Sequence, residues 1–394
     1  MRIAFVSHSR RKVGGAEAYL GSVLPAFAAA GHEVAWLHES DWPPDREPIG
    51  CPEQVVTWCA SELGVTRSLA GLQQWKPDLI YTHGLRDAGL EASVIKTAPS
   101  VLYVHNYYGT CISGDKLHST PVPNVCERKF GPACLLHYFP DHCGGHSPLT
   151  MWSQYQLQSR RQQLMRQYRA LIANSEYIVR EMARHGLASE CVYPFTATPG
   201  IGVTPASFDE DSLALIFAGR MSSLKGGQYL VDAAPIAQRA LGRKLHVTFA
   251  GDDALRAEWQ GRAERLQSEH LTFDFPGWLP VPDLKSAIAR SHLLVMPSIW
   301  PEPFGLSGPE AGLLGVPAVA FAVGGIPEWL NDGINGHLAP APPSAEGLAQ
   351  AIAKALSNRE HYEKLRLGAC RVSNRYSLDD HMAKLSRIFE RCRA

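Results

Sequence analysis

Short apolar runs alternate with helix-length amphipathic stretches along almost the whole chain, and that alternation most narrows what it can fold into. In the first half the predicted strands are Ile3–Val6, Glu33–Leu37, Leu79–Thr82, Ser100–Val104 and Ala170–Ala173, with helical patterns such as Ala16–Ala29 and Ile178–His185 between them. In the second half the strands are Ala214–Ala218, His246–Ala250, Leu271–Phe275, His292–Met296 and Pro317–Phe321. Helical stretches Gly227–Leu241, Asp253–Glu269, Val281–Ala289 and Ala345–Ser357 lie between or after those strands. Such a grammar fits parallel sheets covered by helices on both faces. At 394 residues the chain exceeds one ordinary core, and the Pro- and Gly-bearing stretch Tyr193–Phe208 reads as a linker. The expected architecture is α/β: two doubly wound Rossmann-like domains facing each other across a cleft. The first spans 1–200 and the second 201–375. A last helical pattern, Leu378–Cys392 within 376–394, is expected to pack back on the first domain.

Charge excludes some functions. Lys plus Arg and Asp plus Glu both total 38, so nothing in the balance calls for a nucleic-acid partner. The strand Arg2–Ser7 is soon interrupted by His8, Arg10, Arg11 and Lys12, which does not fit a signal peptide. No apolar run is long enough to span a bilayer. A cytoplasmic protein is expected, with any membrane contact peripheral, on the inner face. Nine cysteines, an odd number, argue against a full disulfide framework.

Three turns carry chemistry. The densest is Pro297-Ser298-Ile299-Trp300-Pro301-Glu302-Pro303-Phe304-Gly305-Leu306-Ser307-Gly308-Pro309-Glu310, which leads from a strand into a short helix. Free N–H groups at such a junction, with the helix dipole, favour an anion such as phosphate. Gly305 lets the backbone approach it, and Pro309 suits a first helical turn. Glu310 then lies about one turn above the phosphate, placed to accept hydrogen bonds from a ribose diol, and Glu302 faces the other end of the ligand. Two solvated glutamates at a loop–helix junction are the competing reading. A second turn, Gly219-Arg220-Met221-Ser222-Ser223-Leu224-Lys225-Gly226-Gly227, fixes two cations at a strand end. Arg220 offers a planar fork and Lys225 a point charge for a pyrophosphate; a solvated basic turn is the alternative. The third, Gly14-Gly15-Ala16-Glu17 after the first strand, admits a phosphate or sugar close to the backbone, or is simply a tight turn. It lacks the G-x-G-x-x-G spacing, so a nicotinamide or flavin cofactor is not expected.

Taken in order, these turns resemble the retaining GT-B glycosyltransferases, most closely family four (the group 1 type). Pro77–His83, Ala173-Asn174-Ser175, Gly315-Val316-Pro317 and Gly324-Gly325-Ile326-Pro327-Glu328 extend the likeness over nearly the full chain. The resemblance implies that Arg220 and Lys225 bind the donor diphosphate and Glu310 the ribose. It implies that the backbone of Phe304, Gly305 and Leu306 contacts phosphate and sugar, and that Glu302 contacts the transferred sugar. Gly14 and Gly15 would lie near the diphosphate and acceptor, and His105 would approach the sugar, with His83 a second candidate. The implied reaction moves a sugar, with retention, from a UDP-, GDP- or ADP-linked donor to a hydroxyl of a glycan or lipid-linked glycan. No cofactor or metal is implied for the chemistry; Asp209-Glu210-Asp211, the one Asp-x-Asp, precedes a strand and is discounted. The alternative is a non-catalytic GT-B protein that binds a nucleotide sugar or a partner. A phosphorylase lacks its pyridoxal-binding lysine context here.

Residues 106–150 depart from the family's common core. They hold Cys111, Cys126, Cys134 and Cys143, with His118, His137, His142 and His146. A structural zinc would give so short a segment a core, although no C-x-x-C occurs, and packed thiols are the alternative. The following stretch, Met151–Arg169, carries Trp152, Tyr155, Leu157, Leu164, Met165 and Tyr168 with Arg160, Arg161, Arg166 and Arg169. It reads either as a helix lying on an anionic bilayer or as one packed on the first domain.

Overall fold

The computed structural model describes every residue except 13, 45, 121, 197–205, 210 and 394. Most of the expected linker, including Pro199, Gly200, Gly202 and Pro205, and the 200/201 boundary lie outside the described residues, as does Glu210 of the Asp-x-Asp. The chain forms two compact units. One comprises Met1–Lys116, Glu127–Pro194 and Leu378–Ala394; the other comprises Leu117–Cys126 and Phe195–Ser377.

The first unit is built on a seven-stranded parallel sheet. Its strands are β1 (Arg2–Ser9), β2 (Glu33–Ser40), β3 (Val56–Cys59), β4 (Leu79–Thr82) and β5 (Ser100–Val104). After β6 (Leu117–His118) and β7 (Asn124–Val125), a small antiparallel hairpin grouped with the second unit, come β8 (Ala170–Ala173) and β9 (Glu190–Cys191). The sheet order is β3-β2-β1-β4-β5-β8-β9. Ile3, Ala4, Phe5 and Val6 are fully buried, because a central parallel strand is covered on both faces. The carboxyl-terminal helix Leu378–Arg393 belongs to this unit: Phe389 stacks on Phe27 at 5.2 Å and meets Tyr81 edge-on at 4.9 Å.

The second unit repeats the plan with six parallel strands. They are β10 (Ser212–Ala218), β11 (Lys244–Ala250), β12 (Leu271–Gly277), β13 (Leu293–Met296), β14 (Ala318–Phe321) and β15 (Gly336–Ala339), in the order β12-β11-β10-β13-β14-β15. In each unit the strand order reverses beside one central strand, at β1/β4 and at β10/β13. A crevice opens beyond the carboxyl ends of strands at such a reversal, and ligands of doubly wound sheets settle there. No helix among the described residues is long and apolar enough to cross a membrane.

The segment after β5 finds a core without gathering its cysteines. Among the described residues no three His, Cys, Asp or Glu side chains cluster as metal ligands. Cys111 Sγ accepts from the Lys116 amide at 3.3 Å, and Cys134 and Cys143 lie against the apolar cluster of Ile112, Phe130 and Tyr138. Cys126 falls with the other unit. Burial and charge give the segment a core of its own. Lys116, 1% exposed, holds its ammonium 2.7 Å from Glu181 Oε1 and donates to the Arg128 carbonyl at 2.6 Å. Burial pushes the Glu181 pKa up, and the Lys116 charge pulls the other way. His185 fixes the same corner. Its Nδ1 donates to the Glu181 carbonyl at 2.8 Å, and its Nε2 accepts from the Phe130 amide at 2.8 Å. Removing one partner of a buried pair strands the other charge, which costs about 3–5 kcal/mol. Glu181→Ala is expected to lose stability on that scale in denaturant unfolding; an unmoved midpoint would show that the pair is not what anchors the segment.

Candidate functional site

The switch point of the second unit brings two of the three turns together. After β10 the chain makes Gly219-Arg220, a single 3-10 turn at Ser223–Lys225, and Gly226. After β13 it runs through Pro297–Trp300 to Glu302. The two segments are tied edge to edge: the Leu224 carbonyl accepts from the Ile299 amide at 3.0 Å, the Trp300 amide at 3.1 Å and Ser298 Oγ at 3.1 Å. Gly226 makes this approach possible. Its φ is +67°, and a Cβ there would lie 1.9 Å from the Pro297 carbonyl oxygen. Lys225 Nζ then reaches Glu302 Oε1 at 2.6 Å. The Glu302 side chain is nearly buried and that of Lys225 about a quarter exposed (7% and 26%). The guanidinium of Arg220, exposed on the same loop, has no hydrogen-bond or ion-pair partner among the described residues. An ammonium has three N–H groups, so Lys225 can hold Glu302 and still donate to a ligand.

The turn after Glu302 is held from behind. Gly325 donates its amide to the Glu302 carbonyl at 2.7 Å, and Gly324, at φ +61°, has no room for a Cβ, which would sit 2.1 Å from that carbonyl oxygen. Trp329 Nε1 donates to the Phe304 carbonyl at 2.7 Å, and its ring fills the space beside Gly308. Phe304 is buried, meeting Tyr376 edge-on at 5.2 Å, and the helix Ser307–Leu313 opens directly after Leu306. Glu310 stands in its first turn and is exposed. Protein packed around the carboxyl nevertheless pushes its pKa up to about 7, desolvation outweighing the charge of Lys285.

In the first unit β4 and β5 end on two histidines in contact, with His83 Nδ1 2.9 Å from His105 Nε2. They line a small cavity of about 30 Å³ with Arg161 and Glu91. His83 Nε2 is buried without a hydrogen-bond partner among the described residues. A third histidine, unremarked in the sequence, comes from the carboxyl-terminal helix. His381 Nδ1 lies 2.7 Å from the Tyr193 carbonyl, so it carries the proton; Nε2 then accepts from Tyr19 at 2.7 Å, and Tyr19 accepts from Tyr81 at 2.6 Å. Burial lowers the pKa of His105 to about 3 and of His381 to about 4, and takes His83 well below its ordinary value. The histidines are neutral near pH 7, and the hydrogen-bond direction is set. Nothing in the spacing of His381 or Trp329 marked them, because their partners are far away in sequence.

Gly14 and Gly15 stand exposed at the start of the helix Gly15–Ala29. The Gly14 amide is already occupied by Glu17 Oε2 at 2.9 Å, so a carboxylate of the chain itself caps this end. The helix expected over Met151–Arg169 runs from Pro148 to Met165, and part of the expected membrane face turns inward. Arg161, Leu164, Met165 and Tyr168 are buried, and the Arg161 guanidinium donates to the Leu85 and Arg86 carbonyls at 3.1 and 3.2 Å.

Both halves match family models, one described as Glycosyltransferase Family 4 over residues 13–195 and one as Glycosyl transferases group 1 over residues 205–369. The chain belongs to the family 4, group 1 glycosyltransferases. Among curated relatives, the D-inositol 3-phosphate glycosyltransferase 1 of Catenulispora acidiphila is 28% identical over 243 residues, 56% of each chain. An uncharacterised 41.2 kDa protein in the cps region of Klebsiella pneumoniae is 26% identical over 189 residues, 46% of this chain and 47% of that one. The chain thus spans about half the length of these curated relatives. Among solved structures, Anabaena HepE in complex with UDP-glucose superposes with a TM-score of 0.68 at 19% identity, covering 99% of both chains. WaaG, a glycosyltransferase involved in lipopolysaccharide biosynthesis, gives 0.69 at 16% identity, covering 98% of this chain and 99% of that one. At such identities the likeness is one of fold, and the fold of this family is GT-B.

Proposed function

We propose that this protein transfers a sugar, with retention, from a nucleoside diphosphate donor to a hydroxyl of a glycan or lipid-linked glycan. The observation that carries the reading is the junction of the two strand-end loops, where Lys225 meets Glu302 at the switch point of the second unit and Arg220 stands on the same loop as Lys225. As the anomeric carbon–oxygen bond breaks through an oxocarbenium-like state, negative charge grows on the departing diphosphate. Fixed cations beside that charge lower the barrier, since they need not reorganise as the bond breaks. Arg220 suits two phosphate oxygens through its fork, and Lys225 adds the point charge. Glu302 orients Lys225 and, on the family likeness, takes a hydroxyl of the transferred sugar. The same likeness assigns the ribose diol to Glu310, the diphosphate and acceptor to Gly14 and Gly15, and the sugar to His105, neutral beside His83. Retention follows if the leaving phosphate helps remove the acceptor proton on the same face; no side chain is named as a nucleophile. HepE, with UDP-glucose bound, makes a uridine donor the first to try, ahead of guanosine and adenosine donors.

Release of free nucleoside diphosphate from a donor panel, with an acceptor panel, checks the assignment. Arg220→Gln and Lys225→Ala are each expected to lower turnover about 10²–10³-fold, the scale of losing one preorganised charge or donor. Arg220 has no partner to lose, so its variant should fold unchanged; full activity in both would remove the loop from the site. Glu310 adds a pH test. A carboxyl raised to about 7 is mostly protonated at pH 6 and mostly ionised at pH 8, and only the ionised form is a pure acceptor for a diol. Affinity for the nucleoside diphosphate should therefore rise several-fold from pH 6 to pH 8 by calorimetry, and more steeply than in Glu310→Gln. Equal slopes would take Glu310 away from the ribose.

A further inference from the structure

The loop after β2 carries the most exposed Trp, Tyr or Phe among the described residues, Trp42, at 65% exposure. The ring stands in water, yet the backbone beneath it is tied down on both sides. Asp41 is clamped by two guanidinium forks: Arg10 donates from Nε and Nη2 at 2.7 and 3.0 Å, and Arg11 from the same pair of atoms. Bidentate pairs of this kind fix direction as well as distance. Ser9 Oγ donates to the Trp42 carbonyl at 2.7 Å and accepts from the Arg11 amide at 3.0 Å. Farther along, the Ile49 amide donates to the Arg10 carbonyl at 2.7 Å, the Lys12 amide to the Glu47 carbonyl at 2.9 Å, and Arg11 bridges Pro48. None of these bonds uses the indole, which is held out on a rigid base.

Position and neighbours say what such a ring is for. β1 and β2 end side by side, Ser9 beside Ser40, so the loop of Trp42 lies at the carboxyl edge of the sheet. Ligands of doubly wound sheets settle along that edge. The loop is tied to Ser9–Lys12, the residues that lead from β1 to Gly14 and Gly15. The chain around the indole offers no second large apolar side chain: residues 10–12 are cations, and residues 40–47 other than Trp42 are polar, charged or proline. A protein partner is met by a cluster of anchors. One flat ring among planar polar groups suits a sugar, whose C–H face packs on aromatic carbon while the hydroxyls at its edge need donors and acceptors. Arg10 has donors left for them. Its side chain is 39% exposed, Asp41 takes only Nε and one N–H of Nη2, and Nη1 has no partner among the described residues.

We propose that Trp42 is a stacking platform for a sugar ring of the acceptor, with the Arg10 guanidinium beside it donating to hydroxyls at the edge of that ring. That the sugar belongs to an acceptor rests on the transfer reading above; the platform itself does not, so its test reads sugar binding. The full chain, without donor, is applied to an immobilised panel of neutral and acidic oligosaccharides. The wild type is expected to be retained by part of the panel. Trp42→Ala should weaken that retention about tenfold, and Trp42→Phe, which keeps a ring, should retain most of it. Arg10→Lys, which keeps the charge and loses the fork, should weaken it several-fold. Thermal unfolding and calorimetric binding of UDP should be the same in Trp42→Ala as in the wild type, because the ring is exposed and the nucleotide is assigned to the other unit. Retention lost in Trp42→Ala and kept in Trp42→Phe, in a chain that releases no nucleoside diphosphate from any donor, would remove the transfer reading and leave the platform standing. The platform is overturned by a wild type that no member of the panel retains, or by retention that Trp42→Ala leaves intact. Concentration-dependent dimers that Trp42→Ala abolishes, in place of sugar binding, would give the ring to a second copy of the chain and likewise overturn it.

Discussion

One ion pair organises the second unit. Lys225 and Glu302 lie on loops from β10 and β13, the strands that flank the reversal of sheet order, and their charged atoms are 2.6 Å apart. For them to meet, Gly226 must press against the Pro297 carbonyl and Gly324 against that of Glu302, both places where a Cβ has no room. The hydrogen bonds of Leu224 to the Ile299 and Trp300 amides hold the loops in register. A carboxylate nearly out of water is tolerated because an ammonium sits against it, and that ammonium is kept at the mouth of the crevice with donors to spare. Arg220, unpaired, stands on the same loop. A site arranged in this way is waiting for negative charge.

The first unit solves a different problem, which is keeping imidazoles neutral and aimed. Burial suppresses the charge on His83, His105 and His381. The Tyr193 carbonyl fixes the tautomer of His381, and the order of donors through Tyr19 and Tyr81 follows. Tyr19 lies one turn beyond Gly14 and Gly15, so the carboxyl-terminal helix steadies the helix that begins at those glycines. The segment after β5 shows a related economy. A buried lysine–glutamate pair and three large apolar residues hold it together.

Central strands were legible because they are buried on both faces: Leu79–Thr82, Ser100–Val104 and Ala170–Ala173 stand where the apolar runs placed them. Edge strands were read less well: Leu271–Gly277 was found at one edge, but others were missed. Val56–Cys59 is missing from the reading because Val56 and Thr57 face water, and Gly336–Ala339 because it is short and starts on glycine. The helix Asp253–Glu269 shrinks to Arg256–Glu264, since Asp252 and Asp253 spend their side chains on turn amides. Site residues that sit on one loop could be read from spacing. His381 and Trp329 could not, because what they hold, Tyr19 and the Phe304 carbonyl, is fixed only by folding. The arginines of Met151–Arg169 looked alike in sequence, yet Arg161 turns inward and Arg160 outward, a difference set by where the carbonyls of Leu85 and Arg86 lie.

The central claim is that Arg220 and Lys225 grip the second phosphate of a nucleotide. Calorimetric binding of UDP and of UMP, to the wild type and to Arg220→Gln with Lys225→Met, tests it most directly. UDP should bind the wild type at least tenfold more tightly than UMP, and the double variant should bind the two nearly alike. Equal binding of both nucleotides to the wild type, or an unchanged preference in the double variant, would contradict the account.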